Sequence, residues 1–427
     1  MMTTKNFLLT TLHDIPFLLP YGQAVATFSR GFQLNETGAL IVESLEHEDS
    51  FAWYAKKSGL TPEEMVEARE EYDAFLRQLA ASGCLLANGH TFHFPDAEPF
   101  YGTLKIGPLS VQMRGNADFF SREFIPFLAI NNLECAEADV TSFPESRIES
   151  TLPDRKRKNA SSRENSEKVS LESIDQTITV TEAYLPDYTG STLLLQTSDL
   201  ELFADENQYY LRFPAMQNIR LAVLSQDGSK VCYFVTRPFE KERLRALQED
   251  LFHAIRHAFL LMAQQKGFFA LHSATILYRD RVWAFSGPSG TGKSTHANLW
   301  KQEFQAPLVN GDLSLLSLAD DGSVLFHGMP WCGTSGITTN ASAPFGGIVF
   351  LKQAPENRVE ALPPEQEALR LLNRLISPVW TPQMLQANAA FAEEAVKRLG
   401  IWRLSCNMEP EAAHVIKEAI DSYLNGR

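Results

Sequence analysis

Apolar residues recur at helical spacing in the first part of the chain, residues 1–90. After a short extended start, "NETGALIVESLEHE" and "TPEEMVEAREEYDAFLRQLAASGCLL" each place apolar residues on one face of a helix. Asn35 is a suitable N-cap for the first helix, Thr61 and Glu64 predict a capping box that starts the second, and Gly83 predicts its end. Short strands beside a few helices predict a winged-helix-like unit.

The period changes to two beyond this unit. From about 100 to 240 the chain alternates apolar and polar residues between turn residues, which predicts strands, and "QDGSK" around Asp227 and Gly228 predicts a hairpin. Residues 144–173 contain almost no large apolar side chain, so we interpret them as a disordered or solvated insertion. An apolar stripe then predicts one long helix over about 240–266.

Composition limits the function classes. The 427 residues carry a formal net charge of -14, which disfavours a broad nucleic-acid or anionic-membrane surface. The basic run Arg155–Lys158 is surrounded by opposite charges, so we do not interpret it as a nucleic-acid patch. No apolar stretch suits a secretory signal or a membrane span, and we predict a cytoplasmic protein without a membrane partner. The five cysteines lack C-x-x-C spacing, which predicts free thiols: Cys84, Cys135, Cys232, Cys332 and Cys406.

The segment "SGPSGTGKSTHANLW" carries the strongest chemical signal. It fits G-x-x-x-x-G-K-[ST], and it stands between the β-prone run "VWAFS" and a stretch without helix breakers, which is the strand–loop–helix order that this motif requires. Glycines let backbone amides converge on a phosphate at the positive end of a helix. A glycine loop that only turns the chain would leave Lys293 unexplained. The predicted nucleotide-binding residues are Gly287, Ser289, Gly290, Thr291, Gly292, Lys293, Ser294 and Thr295.

Two further residues are candidates for the chemistry. Asp312 lies 18 residues beyond Ser294 at the end of an apolar run, where a carboxylate can hold Mg²⁺ or accept a proton from a hydroxyl. The alternative is a turn aspartate, which the preceding Asn310 and Gly311 would favour. His272 lies on a predicted β-hairpin that leads into the loop, and its alternative is a buried structural histidine.

These motifs resemble the HPr kinase/phosphorylase family, a branch of the fold shared with phosphoenolpyruvate carboxykinase. The histidine-bearing strand, the loop "GPSGTGKS" and Asp312 occur in the family's order over about residues 265–355. The resemblance implies ATP and Mg²⁺ as cofactors. It implies that Lys293 holds the phosphates, that Ser294 and Asp312 serve the metal, and that Asp312 also acts as a base with His272 assisting. Asp312, Lys293 and His272 are therefore the predicted catalytic residues.

The sequence departs from that family at two places. Gly311 stands where the family has the first acid of a pair, and "HGMPWCGTSG" replaces the signature that follows in HPr kinases. Either Asp312 alone serves both as metal ligand and as base here, or another residue supplies one of these roles. HPr itself and the reverse, phosphate-removing activity are not implied for this chain.

The first 90 residues resemble the PqqD-like family of leader-peptide recognition domains. The resemblance rests on "NETGALI", the charged helix after it and "FLRQLAASGCLL". It implies that a peptide or protein substrate binds through this unit. A generic winged helix that binds DNA or acts as a spacer is the alternative, although few basic residues occur on the expected recognition helix.

The sequence as a whole predicts an α/β protein, α+β overall, with a P-loop kinase of the HPr kinase/phosphoenolpyruvate carboxykinase type. The predicted units are a recognition domain at 1–90, a strand-rich region at 91–240 that begins the kinase domain, and the nucleotide-binding domain at 241–427. The predicted activity is ATP- and Mg²⁺-dependent phosphorylation of a serine or other hydroxyl on a ribosomally made peptide or a protein. A small-metabolite kinase, a carboxykinase-like enzyme and a non-catalytic nucleotide-binding scaffold remain open, as does a homo-oligomer.

Overall fold

The computed structural model describes residues 2–3, 7–12, 15–20, 32–47, 49–81, 84, 86–87, 92–95, 97–129, 173–238 and 240–426. The insertion predicted at 144–173, apart from its last residue, lies outside the described residues, as do Gly83 and Cys135. The helices are α1 (Glu36–Ser44), α2 (Ser50–Ser58), α3 (Met65–Ala81), α4 (Lys241–Gln265), α5 (Lys293–Phe304), α6 (Pro364–Leu372), α7 (Pro382–Val396) and α8 (Glu411–Asn425). Short 3-10 helices cover Ala117–Phe119, Arg122–Phe127 and Gly333–Ser335.

The strands of the described residues fall into two large and two small sheets. The small sheets contain β1 (Met2–Thr3), β2 (Phe7–Leu12), β3 (Ile15–Pro20), β4 (Phe32–Gln33), β5 (Leu86–Ala87) and β9 (Leu185–Pro186). The first large sheet contains β6 (Phe100–Ile106), β7 (Leu109–Arg114), β8 (Gln176–Thr181), β10 (Thr192–Gln196), β11 (Glu201–Ala204), β12 (Gln208–Arg212), β13 (Ile219–Ser225) and β14 (Lys230–Val235). The second contains β15 (Phe268–Tyr278), β16 (Arg281–Ser286), β17 (Leu308–Asn310), β18 (Leu313–Leu318), β19 (Val324–His327), β20 (Ser342–Gln353), β21 (Arg358–Ala361) and β22 (Gly400–Cys406).

The N-terminal helices pack on one another around their own apolar cluster. The Asn35 side chain accepts a hydrogen bond from the Gly38 amide and caps α1, as its sequence position predicts. The predicted start of the next long helix is wrong by three residues: α3 begins at Met65, after a turn. Glu64 accepts hydrogen bonds from the amide and hydroxyl of Thr61, which ties down that turn and makes only half of a capping box.

The first large sheet follows the predicted strand pattern. Asp227 and Gly228 form the turn between β13 and β14, and Gly228 has the positive φ of 71° that such a turn favours in glycine. The long helix α4 lies within one residue of its predicted bounds. Its apolar stripe is buried in a cluster with the inner face of this sheet, and the same cluster includes Ala270 and Leu313 of the second large sheet. The two large sheets thus share one hydrophobic core.

The second large sheet positions the glycine loop that is predicted to bind phosphate. The predicted hairpin is confirmed, since β15 pairs antiparallel with β16, and β16 pairs parallel with β20, which pairs parallel with β22. The loop 287–292 leaves β16 at its carboxyl end and enters α5. In α/β sheets, ligands bind at that end of parallel strands. Helices and mixed sheets together confirm the α/β class. Over the described residues, we find no helix with both the length and the apolar character of a membrane span.

Buried histidines make the fold sensitive to acid. His296 and His327 are 2% and 3% exposed, and burial lowers the pKa of each to about 4. The unfolded chain takes up these protons near the ordinary pKa of about 6.5, so the folded state loses stability as the pH falls from about 6.5 towards 4. The upper bound is roughly 3 kcal/mol for each histidine.

This pH dependence is measurable by urea unfolding. We expect the midpoint to fall between pH 7.5 and pH 5, and we expect His327→Gln to reduce the pH slope, since the neutral amide does not titrate. The exposed His414 provides the control, because His414→Gln leaves every buried histidine in place. A midpoint that is equal at both pH values would contradict the prediction.

Candidate functional site

The glycine loop 287–292 has the backbone that its glycines predict. Gly290 and Gly292 have φ of 76° and 92°, a region that side chains other than glycine rarely adopt. A Cβ on Gly287 would lie 2.7 Å from Thr291 Oγ1 and 3.3 Å from the Leu351 carbonyl, so this position needs glycine for space. Gly292 is the N-cap of α5, which directs the positive end of that helix at the loop.

Lys293 folds back over this loop. Its Nζ lies 3.3 Å from the carbonyl oxygens of both Gly287 and Pro288. Burial lowers the pKa of Lys293, and the positive charge of Arg374 lowers it further, while the Asp312 carboxylate raises it. The loop is closed on itself by Thr291, whose hydroxyl donates to the Pro288 carbonyl at 2.8 Å. Ser289 of the loop and Ser294 and Thr295 in the first turn of α5 are exposed, which leaves their hydroxyls accessible to a ligand.

His272 and Asp312 are brought together by strand pairing. His272 lies on β15 opposite Leu313 of the neighbouring β18, and Asp312 immediately precedes that strand. His272 Nε2 lies 3.1 Å from Asp312 Oδ1, and both side chains are 32% exposed. Backbone contacts fix the pair, because the Ser273 amide donates to the Asp312 carbonyl at 2.8 Å and the Ser286 hydroxyl donates to the His272 carbonyl at 2.7 Å.

The charges around Asp312 favour its ionised form. The hydrogen bond from His272 holds the pKa of Asp312 below its usual value, burial opposes this, and the positive charges of Arg256 and Lys293 lower the pKa further. Burial also lowers the pKa of Arg256, and the Asp312 carboxylate counteracts it. The arrangement is a carboxylate held between cationic groups beside the glycine loop.

Two arginines near Asp312 and Lys293 were not predicted from the sequence. Arg256 lies on α4, more than 50 residues before Asp312, and α4 was interpreted only as a packing helix. Arg374 follows α6, and its carbonyl accepts a hydrogen bond from the His272 amide at 3.1 Å. Neither arginine belongs to a local motif, so only the tertiary fold reveals them. Their sole sequence signal is a cation inside an apolar run, "HAIRHAF" and "LLNRLIS".

The structure gives a steric reason for Gly311. A Cβ at this position would lie 1.7 Å from Ser335 Oγ and 3.1 Å from the Cys332 carbonyl. Ser335 is held there, since its hydroxyl donates to that carbonyl at 2.7 Å and accepts from the Ile337 amide at 3.1 Å. The turn Gly333–Ser335 thus takes the space that an acidic side chain at 311 would need.

A double-mutant cycle tests this packing. We expect Gly311→Ala to lower the free energy of unfolding by about 1 to 3 kcal/mol, because the new methyl group overlaps Ser335. Ser335→Gly removes the obstructing side chain, and in that background Gly311→Ala should cost markedly less. Urea unfolding of the four proteins measures the coupling. Equal costs of Gly311→Ala in both backgrounds would show that Ser335 does not restrict this position.

The segment "GMPWCGTSG" does not act as one unit at the site. Trp331 is buried in the core, where its Nε1 donates to the Phe252 carbonyl at 2.7 Å. Gly333 instead approaches the candidate pair, and a Cβ there would lie 3.0 Å from the Cβ of Asp312. Trp331 therefore anchors the turn that covers one side of Asp312.

The donor groups suit magnesium. Within the described residues no cluster of three His, Cys, Asp or Glu side chains could hold a metal by itself. Magnesium bound with a nucleotide needs no such cluster, because one or two protein oxygens, phosphates and water complete its coordination. The carboxylate of Asp312 and the exposed hydroxyl of Ser294 are oxygen donors of this type.

Comparison with known proteins adds little. No protein-family model matches the chain, and no curated protein matches its sequence. A solved structure of the HPr(Ser) kinase/phosphatase from Coxiella burnetii is similar to part of this chain, at 8% identity and a TM-score of 0.21. The aligned region covers 35% of this chain and 95% of the solved chain. Such a loose similarity carries no functional argument.

Proposed function

We propose that the chain binds a nucleoside triphosphate with Mg²⁺ and transfers its terminal phosphoryl group to a hydroxyl of a peptide or protein. The observation that carries the proposal is the pairing of Asp312 with His272 beside Lys293 and the glycine loop. Each of these charged groups affects the pKa of another, so they form one electrostatic unit.

The proposed roles follow from the chemistry of each group. The loop amides and Lys293 hold the phosphates, and Asp312 with Ser294 holds Mg²⁺, which neutralises phosphate charge when bound. His272 orients the Asp312 carboxylate through their hydrogen bond. Arg256 and Arg374 add positive charge around the transferred group. Phosphoryl transfer depends mainly on positioning and charge neutralisation, and the described side chains suit both.

A peptide acceptor is proposed because of the N-terminal unit, which we take as its recognition domain. This unit is joined to the rest of the chain by more than the polypeptide connection. β5 pairs with β9, which follows the first large sheet's β8, and Tyr184 packs against the unit's apolar cluster. A peptide bound there would be tethered near the phosphate loop, at an effective concentration of about the millimolar range.

Mass spectrometry provides the direct test. The full-length chain is incubated with ATP, Mg²⁺ and candidate peptides encoded by neighbouring genes, with a panel of hydroxylated metabolites in parallel. We expect one added phosphoryl group on a peptide and none on the metabolites. Phosphorylation of a metabolite alone would replace the peptide acceptor with a small-molecule one.

A nucleotide-binding scaffold is the second candidate, and the filled space at Gly311 favours it. With Ser335 there, the site retains one carboxylate where the HPr kinases have a pair. The scaffold function predicts that ATP alters peptide binding while no phosphorylated product forms. The same incubation, followed by measurement of peptide affinity with and without ATP, distinguishes the two.

A further inference from the structure

A basic pocket lies beside the phosphate loop. It has a volume of about 420 Å³, and its wall includes Pro288 and Thr291 of the loop. Lys293 and Ser294 are absent from its described lining, so the pocket adjoins the proposed nucleotide site and shares only the loop wall at Pro288 and Thr291 with it. The carboxyl end of β20 forms its floor, and Gln353 at that end donates a hydrogen bond to the Gly290 carbonyl at 3.0 Å.

Among the described residues that line this pocket, every charged side chain is cationic. They are Lys352 at the end of β20, Arg370 on α6, Arg374 after it, and Arg403 on β22. The described lining includes no carboxylate. Glu360 forms an ion pair with Arg403, whereas no described carboxylate lies within ion-pairing distance of Arg370 or Arg374. Glu360 thus compensates Arg403, and the remaining concentrated positive charge is unfavourable unless an anion neutralises it.

Arg403 offers a further unsatisfied group. Its Nε is buried and has no hydrogen-bond partner among the described residues, although the guanidinium pairs with Glu360. Buried N–H donors are almost always satisfied, so such a donor in a pocket wall indicates a missing acceptor. Arginine side chains bind carboxylate and phosphate groups through pairs of N–H donors.

We propose that this pocket binds an oxyanion of the phosphoryl acceptor, a phosphate or carboxylate group, while the nucleotide occupies the neighbouring loop. This inference rests on the proposed function, because it assumes that the anion in the pocket belongs to the phosphoryl acceptor. It narrows the acceptor to a molecule with an acidic group beside the reacting hydroxyl. Arg370 and Arg374 are the main binding groups, and Arg374 also contributes positive charge at Lys293.

Calorimetric titration of inorganic phosphate into the full-length chain tests the proposal. The titration is made with the free protein and with protein saturated with Mg²⁺ and a non-hydrolysable ATP analogue. We expect phosphate to bind in both states. We expect Arg370→Gln, at a residue with no proposed role in the nucleotide site, to weaken phosphate binding at least tenfold while the affinity for the analogue changes less than threefold. Arg281→Gln is the matched control, since it removes the same charge from the opposite end of β16.

The outcomes separate the two anion sources. Loss of phosphate binding in the analogue-saturated protein would assign the pocket to the nucleotide's own phosphates and overturn the proposal. Unchanged phosphate affinity in Arg370→Gln, or no phosphate binding by the wild type, would also overturn it. Arg370 lies near the end of α6 and is partly exposed, so we expect Arg370→Gln to fold as the wild type does. If the analogue did not bind, the proposed function would be rejected. The phosphate titration of the free protein would still test whether the pocket binds an anion.

Discussion

Lys293→Ala is expected to weaken binding of Mg²⁺-ATP at least 30-fold and to reduce phosphoryl transfer about 10³-fold. The ammonium group lies over the loop carbonyls of Gly287 and Pro288, where an incoming phosphate would meet it. A charge-assisted hydrogen bond contributes roughly 1.5 to 3 kcal/mol to binding. A group that stabilises charge in the transition state contributes about 10²- to 10³-fold to the rate. Calorimetry and a labelled-phosphate assay measure the two effects.

Lys301→Ala is the control for that result. Lys301 lies two turns further along α5 and is exposed, so its removal changes the charge of the same helix away from the loop. We expect it to bind and react as the wild type does. If Lys293→Ala retained full ATP affinity, the glycine loop would not be a nucleotide site, and the alternative of a simple chain turn would gain support.

The sequence predicted the parts of this site that lie in one stretch of chain. The loop, the hairpin before it and the helix after it obey local rules, since glycine conformation, strand alternation and capping depend on near neighbours. His272 and Asp312 were named as candidates, but their contact comes from the pairing of β15 with β18, which sequence spacing does not encode.

The residues that sequence reasoning missed depend on long-range packing. Arg256 and Arg374 reach the site because α4 and the segment after α6 pack against β15. The basic pocket likewise gathers residues from a loop, two strands and a helix. The start of α3 was misplaced because Thr61 and Glu64 form a turn with the same residue types that cap a helix. The domain boundaries and the PqqD-like role of residues 1–90 remain predictions.

Asp312→Asn is expected to reduce phosphoryl transfer about 10³-fold, with the fold retained. The amide has nearly the same size as the carboxylate but carries no negative charge, so it would hold Mg²⁺ poorly. We therefore expect the variant to bind ATP without the enhancement by Mg²⁺ that the wild type shows. Titration of ATP with and without Mg²⁺ measures this difference. Asp320→Asn, at an exposed residue after β18, is the matched control.

The pH dependence of the wild type separates the two roles proposed for Asp312. Because His272 and the nearby cations lower its pKa, the carboxylate stays ionised throughout the neutral range. A carboxylate with a low pKa is a weak proton acceptor but a good metal ligand. Two results together would support the metal role. Asp312→Asn would lose the enhancement of ATP binding by Mg²⁺, and the rate of the folded wild type would not fall between pH 7 and pH 5.5. A variant that kept its Mg²⁺ dependence while losing turnover would assign Asp312 to proton transfer instead.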